Sequence, residues 1–315
     1  MTFPLVGRLK TIKIPGLNLT KSKGKVGLDI GSSSVKAAML VPQKEGGVEL
    51  VAFGIEALEG EHSKETIVRA MRRVVETLNV KEKKVVISVA GQSVVVRQVL
   101  FPKMSEDELK SAIRYEAEKH IPFNINEVYL DAQIIGEKTE DNKMKVLLAA
   151  SKKELIDERL AYLNEVGLEV EAIDCDSIAT TNAFIFNNAG LGKEKTLALI
   201  NIGASMTNVC ILKDEILNFV RDIPIGAENL ENLDTQIRLS FDYYENQFGK
   251  GIDGIYLSGG GSKQVGLPEH LSQAFGIESS TWDPTKNLTI SPNISKESLK
   301  DVSNQLAVCL GLAMR

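Results

Sequence analysis

From Lys25 onward the chain alternates between two hydrophobic periods. "KVGLDIG" and "VKAAMLV" are short apolar runs around a tight turn, and "VELVAFGIEAL" follows with β-branched and aromatic residues, which predicts three strands in an antiparallel meander. Ser63 then precedes Ile67, Ala70, Met71, Val74, Val75 and Leu78 at helical spacing, the pattern of a capped amphipathic helix, and a buried strand "KVVISVA" comes after it. Ser105 and Glu108 form a capping box ahead of Leu109, Ala112, Ile113, Ala117 and His120 on one helical face, with Pro122 as the stop. Further on, "VLLAASK" and "LEVEAID" bracket a helix with Ser151 as its expected cap, Glu154 three residues later and Gly167 as its end. Meanders followed by crossover helices predict an α/β fold with mixed sheets.

One sequence frame occurs twice. "GLDIGSSSVK" (27–36) is echoed by "LINIGASMTN" (199–208), with Ile30, Gly31 and Ser33 recurring as Ile202, Gly203 and Ser205. In the first copy a strand ends at Ile30, and Gly31 is expected to supply a backbone conformation closed to other residues. Ser32, Ser33 and Ser34 would then present amides and hydroxyls as an anion cradle. Lys36, two residues past Ser34 and so on the same strand face, puts an ammonium in reach of a phosphate, and Asp29 is suited to holding a water of a hydrated magnesium ion. A glycine-serine turn alone is more often only a turn, but two in matching frame suggest two halves facing one ligand. A third element, "GIYLSGGGSK" (254–263), runs a short apolar strand into Gly259, Gly260 and Gly261, whose bare backbone would let a nucleotide lie against it.

Composition narrows the class. The 315 residues are 43% hydrophobic and 25% charged, enough chain for two cores of ordinary domain size. A net charge of -5 gives no general reason to expect a nucleic-acid partner. Cys175, Cys210 and Cys309 lie far apart among apolar residues, which argues for reduced thiols in a cytoplasmic protein and against a disulfide frame. His62, His120 and His270 are equally scattered, no apolar run reaches the roughly 20 residues of a membrane span, and no signal-peptide pattern is present. Residues 1–24 stand apart, with Arg8, Lys10, Lys13, Lys21 and Lys23, no acid, and Pro4 and Pro15 opposed to one continuous helix. They read first as a partly ordered leader and second as a membrane-surface or partner-binding arm.

The three loops in this order resemble those of the actin-like ATPase superfamily, with 27–36 as phosphate-1, 199–208 as phosphate-2 and 257–262 as the adenosine loop. More narrowly, "GLDIGSSSVKAAML", "FPKMSEDELKSAIRYEAEKHIPF", "TTNAF", "NIGASMTNVCIL" and "CLGLAMR" resemble the PilM family of type IV pilus assembly, itself similar to the cell-division protein FtsA. The resemblance implies an actin-like (ribonuclease H-like) two-lobed fold of duplicated mixed-sheet domains with a 1C-type subdomain. It implies domain 1 over 25–180, with 1C inserted near 101–165 and completed by a C-terminal helix at 297–315. Domain 2 then covers 181–296, with 2B shortened near 227–250. It implies ATP or ADP with Mg2+ held by Gly27, Asp29, Gly31, Ser32, Ser33, Ser34, Lys36, Gly203, Ala204, Ser205, Thr207, Gly259, Gly260, Gly261 and Ser262, Asp29 serving the metal. It further implies a PilN-like membrane protein as partner, whose N-terminal tail would bind near Gln98, Leu100, Ile121, Pro122 and Phe123. The protein would then sit in the cytoplasm, peripheral to the inner membrane through its partners, with self-association left open.

Two departures bear on chemistry. Asn201 stands where the superfamily usually carries an aspartate, and only "AENLENLD" separates "RDIPIG" from the helix "TQIRLSFDYYENQF", so 2B looks truncated. No base for an attacking water is evident; Asp174 and Asp176 in "AIDCDS" are candidates, although acids before a helix are more often caps. The expected function is a nucleotide-binding scaffold with weak or no ATPase activity. An FtsA-like cell-division scaffold, and an active ATPase or small-molecule kinase of the same fold, are the alternatives.

Overall fold

The computed structural model describes residues 24–44, 46–60, 63–136, 143–227, 230 and 232–315; the basic leader and His62 lie outside them. The chain opens with β1 (Lys25–Ile30), β2 (Ser34–Pro42) and β3 (Val48–Ala57), an antiparallel meander as the three apolar runs predict. Helix α1 (Lys64–Leu78) is capped by Ser63, whose side chain accepts from Thr66 N, and β4 (Lys84–Val89) returns parallel to β1. Next come β5 (Val94–Pro102), α2 (Glu106–Ala117), β6 (Val128–Gly136) and β7 (Lys143–Lys152). Then α3 (Lys153–Val166), β8 (Glu169–Cys175) and α4 (Asp176–Asn187) lead into the second half.

That half repeats the plan: β9 (Thr196–Ile202), β10 (Thr207–Lys213) and β11 (Ile216–Ile223), α5 (Leu233–Phe248), β12 (Gly254–Ser258), α6 (Leu267–Phe275) and β13 (Ser279–Thr281). The short β14 (Thr289–Ile290), α7 (Lys296–Val302) and α8 (Ala307–Ala313) close the chain. Sheet I has the order β14-β3-β2-β1-β4-β8 and sheet II the order β11-β10-β9-β12-β13. Strands β3-β2-β1-β4-β8 and β11-β10-β9-β12-β13 match in order and in every parallel or antiparallel relation. The duplicated sequence frame is therefore a duplicated lobe.

Side-chain alternation assigns the layers. One face of sheet I, with Val26, Leu28, Val35 and Ala37, packs on α1 residues such as Met71 and Val74 and on Ile156 and Leu163 of α3. Its other face meets α8 through Ala38, Leu40, Cys309 and Leu310. Sheet II buries Ile200, Val209 and Leu257 against α5 and α6. Its opposite face, with Leu199 and Cys210, reaches Ile178 and Phe184 of α4. Helices α4 and α8 thus lie between the sheets, in close contact with each other. At their crossing Gly311 has no room for a side chain, since a Cβ there would lie 3.0 Å from Ala179 Cα and closer still to its carbonyl.

Sheet III, in the order β5-β7-β6, is a separate small layer with its own core of Val99, Phe101, Leu109, Ile113, Met144 and Leu148 under α2. The capping box of Ser105 and Glu108 forms as expected, but α2 ends at Ala117, well before Pro122. The cap expected for α3 does not form: Ser151 is buried in β7, and Lys152 occupies the N-cap without a side-chain bond. Sheet pairing had the stronger claim on Ser151, which sits opposite Val94 and Tyr129. Gly167 does end α3, at φ 76°.

Candidate functional site

The duplicated turns are built alike. Gly31 N donates to Ser34 O at 3.1 Å, and Gly203 N donates to Met206 O at 2.8 Å. Neither glycine has positive φ, which corrects the reason expected for Gly31. The demand is clearance: a Cβ on Gly31 would lie 3.0 Å from Ser34 O and 3.2 Å from Lys36 Nζ, and one on Gly203 2.9 Å from Met206 O. Each turn is too tight for a side chain on its inner corner.

The two turns leave only some of the expected side chains at the surface. Ser32, Ser33 and Ser205 are exposed and Ala204 is half-buried, whereas Ser34 is buried and Thr207 spends its hydroxyl on Ile225 O at 2.7 Å. Of Gly259, Gly260, Gly261 and Ser262 in the third loop, Gly260 alone is exposed. Gly259 has φ 85° and packs on the Ile202 backbone, Gly261 is wedged between Ile202 and Ala227, and Ser262 donates to Gly259 O at 2.8 Å. Those two glycines hold the third loop against the strand that enters the second turn. Gly27 does not reach the turn either: its bare Cα admits α8, with a Cβ falling 2.8 Å from Ala313 N and 2.8 Å from Leu312 Cβ.

Across both sheets, polar residues line up in register at the strand ends. In lobe I, Lys36 pairs with Asp29 and Ser88 with Asp174 on adjacent strands. In lobe II the corresponding row is Asp222, Asn208, Asn201 and Ser258. Asp29 and Asn201 are equivalent, each two residues before its glycine, and Lys36 and Asn208 each follow seven residues later. Lys36 Nζ lies 3.1 Å from Asp29 Oδ2 in a largely buried ion pair. Burial alone would lower the pKa of this ammonium, but the charge and hydrogen bond of Asp29 outweigh it and raise it. The lobe II row is a continuous hydrogen-bonded chain. Ser258 Oγ donates to Asn201 Oδ1 (3.1 Å), Asn201 Nδ2 to Asn208 Oδ1 (3.2 Å) and Asn208 Nδ2 to Asp222 Oδ1 (2.7 Å). From lobe I, Gly91 N donates to Asp222 Oδ2 at 2.6 Å.

Asp174, the last member of the lobe I row, and Asp176 stand where β8 passes into α4, and neither is an N-cap; Cys175 takes that position without a side-chain bond. Burial lifts the Asp174 carboxyl to about 6, against the opposing charge of Arg315, whose Nη1 lies 3.8 Å away. Asp176 is pushed up to about 7 by burial and then by Asp29, with the Ser88 hydroxyl opposing, Asp222 adding to the rise and Lys36 opposing it. Burial also raises Asp222, against its bonds from Asn208 and Gly91. Among the described residues, no group of three or more His, Cys, Asp or Glu side chains is arranged to bind a metal directly. Asp222, Asn208, Ser88, Ser258 and Gly91 escaped the sequence reading. The seven-residue offset shared by Lys36 and Asn208 was a usable signal for one of them; the others are joined only by folding.

The residues expected at a partner groove do not share one surface. Gln98 and Leu100 lie on the face of β5 opposite Val99 and Phe101, and Leu100 is 52% exposed. Ile121 is buried in the core under α2, Pro122 is exposed, and Phe123 sits half-buried beneath Lys152 Nζ, 5.3 Å from its ring centre. Ile121 is therefore a packing residue; the turn after α2 folds it inward.

Two α/β lobes of matching topology, two interlobe helices and three glycine-bearing loops define an actin-like protein. The family model for type IV pilus assembly protein PilM matches residues 27–233 and 229–315, and the chain belongs to that family. Among solved structures it is similar to a PilM-PilN type IV pilus biogenesis complex, with TM-score 0.82 and 23% identity over 92% of this chain and 98% of that one. It is also similar to a Bacteroides thetaiotaomicron protein of actin-like ATPase fold (TM-score 0.52, 12% identity, 95% and 99% covered). A third likeness is to the cytoplasmic domain of EpsL, an inner-membrane component of the Vibrio cholerae type II secretion system (TM-score 0.50, 12% identity, 75% and 82% covered). Among the described residues no helix is long and apolar enough to cross a membrane.

Proposed function

We propose that the protein is a nucleotide-binding scaffold of type IV pilus assembly that recruits the cytoplasmic N-terminal tail of a PilN-like inner-membrane protein. The observation that carries the nucleotide half is the repeated turn, closed by the same backbone bond in each lobe and leaving Ser32, Ser33 and Ser205 exposed on the two loops. The donor set fits a magnesium nucleotide. Amides and hydroxyls of the two turns and the Lys36 ammonium would take the phosphates, and Gly260 would lie against the nucleoside. Asp29, held beside the Lys36 ammonium, would take the hydrated metal through a bound water and not as one of several direct ligands. When bound, the metal supplies positive charge that offsets phosphate and carboxylates together. With Asn201 in place of an acid, the metal is held by fewer charges, which suits slow turnover and a ligand that serves as cement between lobes.

The partner half rests on family membership and on the exposed Leu100 toward the end of β5, past the stretch Val94–Arg97 that faces β11, where the edge strand of sheet III would accept an extended peptide. The test is a pair of titrations. Magnesium ATP should raise the melting temperature, and more than ATP in chelator does. A labelled peptide from the N-terminus of a PilN-like protein should bind saturably, with Leu100→Glu weakening it at least tenfold at unchanged melting temperature. No thermal shift with nucleotide rejects the first half; no saturable peptide binding, with or without nucleotide, rejects the second.

A further inference from the structure

The turn between β4 and β5 is where sheet III is rooted in lobe I, and it is also where lobe I meets the second glycine turn. Val94 N donates to Gly91 O at 2.9 Å, closing the turn from which β5 springs, and Lys152 N donates to Ser93 O at 2.9 Å, tying in the end of β7. On the other side, Gly91 N donates to Asp222 Oδ2 on β11, and Met206 of the second turn packs against Gly91, its Sδ 3.5 Å from where a Cβ would stand. Beyond this point β5 and β11 run side by side as edges of different sheets. A cavity of about 120 Å³ is lined there by Val94, Val96, Arg97, Ser177, Val220 and Asp222, among others. One half-buried carboxylate thus ends the polar row of lobe II and grips the root of sheet III.

We infer that Asp222 is a positioning residue through which a ligand seated on the second turn fixes the root of β5, so that occupancy of the interlobe site sets how rigidly sheet III is presented. This rests on the nucleotide-binding reading above. The two-state element is the separation of the lobes, since the Gly91 donor and the Asp222 acceptor come from opposite sides and meet only when the lobes are together. A ligand gripping both turns favours that state, and the row from Ser258 through Asn201 and Asn208 holds the carboxylate aimed at Gly91. Its oxygens are both used, so the grip is oriented at either end.

The test is amide hydrogen exchange of the full chain with and without magnesium ATP, read beside the thermal shift. Magnesium ATP should slow exchange in peptides covering residues 89–102 at least tenfold. In Asp222→Ala the thermal shift should persist while that slowing is lost. Asp222→Asn, which keeps an acceptor for Gly91 and lets the chain of amides invert, should restore it; a merely structural loss would not be rescued selectively. If Asp222→Ala does not fold, Asn208→Ala, which removes only the donor orienting the carboxylate, must reduce the slowing. A ligand-induced thermal shift without slowing at 89–102 overturns the inference and leaves nucleotide binding standing. So does slowing that is unchanged in Asp222→Ala or Asn208→Ala. Absence of any thermal shift in the parent protein overturns the nucleotide reading, and this inference with it.

Discussion

Replacing Lys36 by methionine tests the ion pair and the phosphate site together, and the structure separates the two effects. Lys36 and Asp29 are 13% and 10% exposed at their side chains and lie 3.1 Å apart, so each is the other's main compensation in a poorly solvated place. Removing one member of such a pair leaves a stranded charge, which costs about 3 to 5 kcal/mol when burial is complete; partial exposure favours about 3. At roughly 2 to 4 °C per kcal/mol the melting temperature should fall by roughly 6 to 12 °C. Methionine retains the apolar stem, which limits the loss to charge. The double variant Asp29→Asn/Lys36→Met removes both charges and should return to within about 1 kcal/mol of the parent. Neither variant should recover the ligand effect, which for the parent at a hundredfold excess over Kd is about 2.7 kcal/mol. Urea unfolding with and without magnesium ATP measures the three free energies, and thermal unfolding the change in melting temperature. A double variant as unstable as the single one would show that packing, and not an uncompensated charge, sets the loss. A double variant with the full ligand shift would remove both residues from the site.

Two further outcomes follow from the interlobe layer. Gly311→Ala forces a Cβ onto the Ala179 backbone and should destabilise by about 1 to 3 kcal/mol or more, measured by chemical unfolding, because the helices α4 and α8 must part. Asp174 has a folded-state pKa of about 6, above its unfolded value near 4, so the folded form holds its proton longer and this carboxyl's stability contribution is lost as pH rises between those values. Asp174→Asn should therefore gain on the parent progressively from pH 4 to pH 7, by up to about 3 kcal/mol at 1.4 kcal/mol per pKa unit. A gain independent of pH would refute the assigned burial effect.

Much of the architecture was legible in the sequence because it is written in local periods. The short apolar runs from "KVGLDIG" through "VELVAFGIEAL", broken by a tight turn, gave the meander, the spacing from Ile67 to Leu78 gave α1, and the repeated Ile-Gly frame gave the equivalence of β1 with β9. Caps were readable where only the helix competed for the serine, as at Ser63 and Ser105. Ser151 was misread because strand pairing, a non-local bond pattern, claimed it first. The glycines were found for partly wrong reasons. Sequence can mark Gly31, Gly203 and Gly27 as places without a side chain, but whether that space serves a turn or an approaching helix depends on what folds against it. Asp29 and Lys36 were visible because they flank one short turn, Asp29 just before Gly31 and Lys36 two residues past Ser34 on the same strand face. The junction of Gly91 with Asp222 joins residues 131 positions apart, and neither has a local pattern that announces it. Strand alternation could have separated Gln98 and Leu100 from the core side of β5, whereas the inward turn of Ile121 required knowing where α2 sits. Short-range hydrophobic pattern thus determined the elements and the loops that close them. Which polar groups meet between the lobes was decided by tertiary packing, because burial and opposing charge act on neighbours in space whatever their distance along the chain.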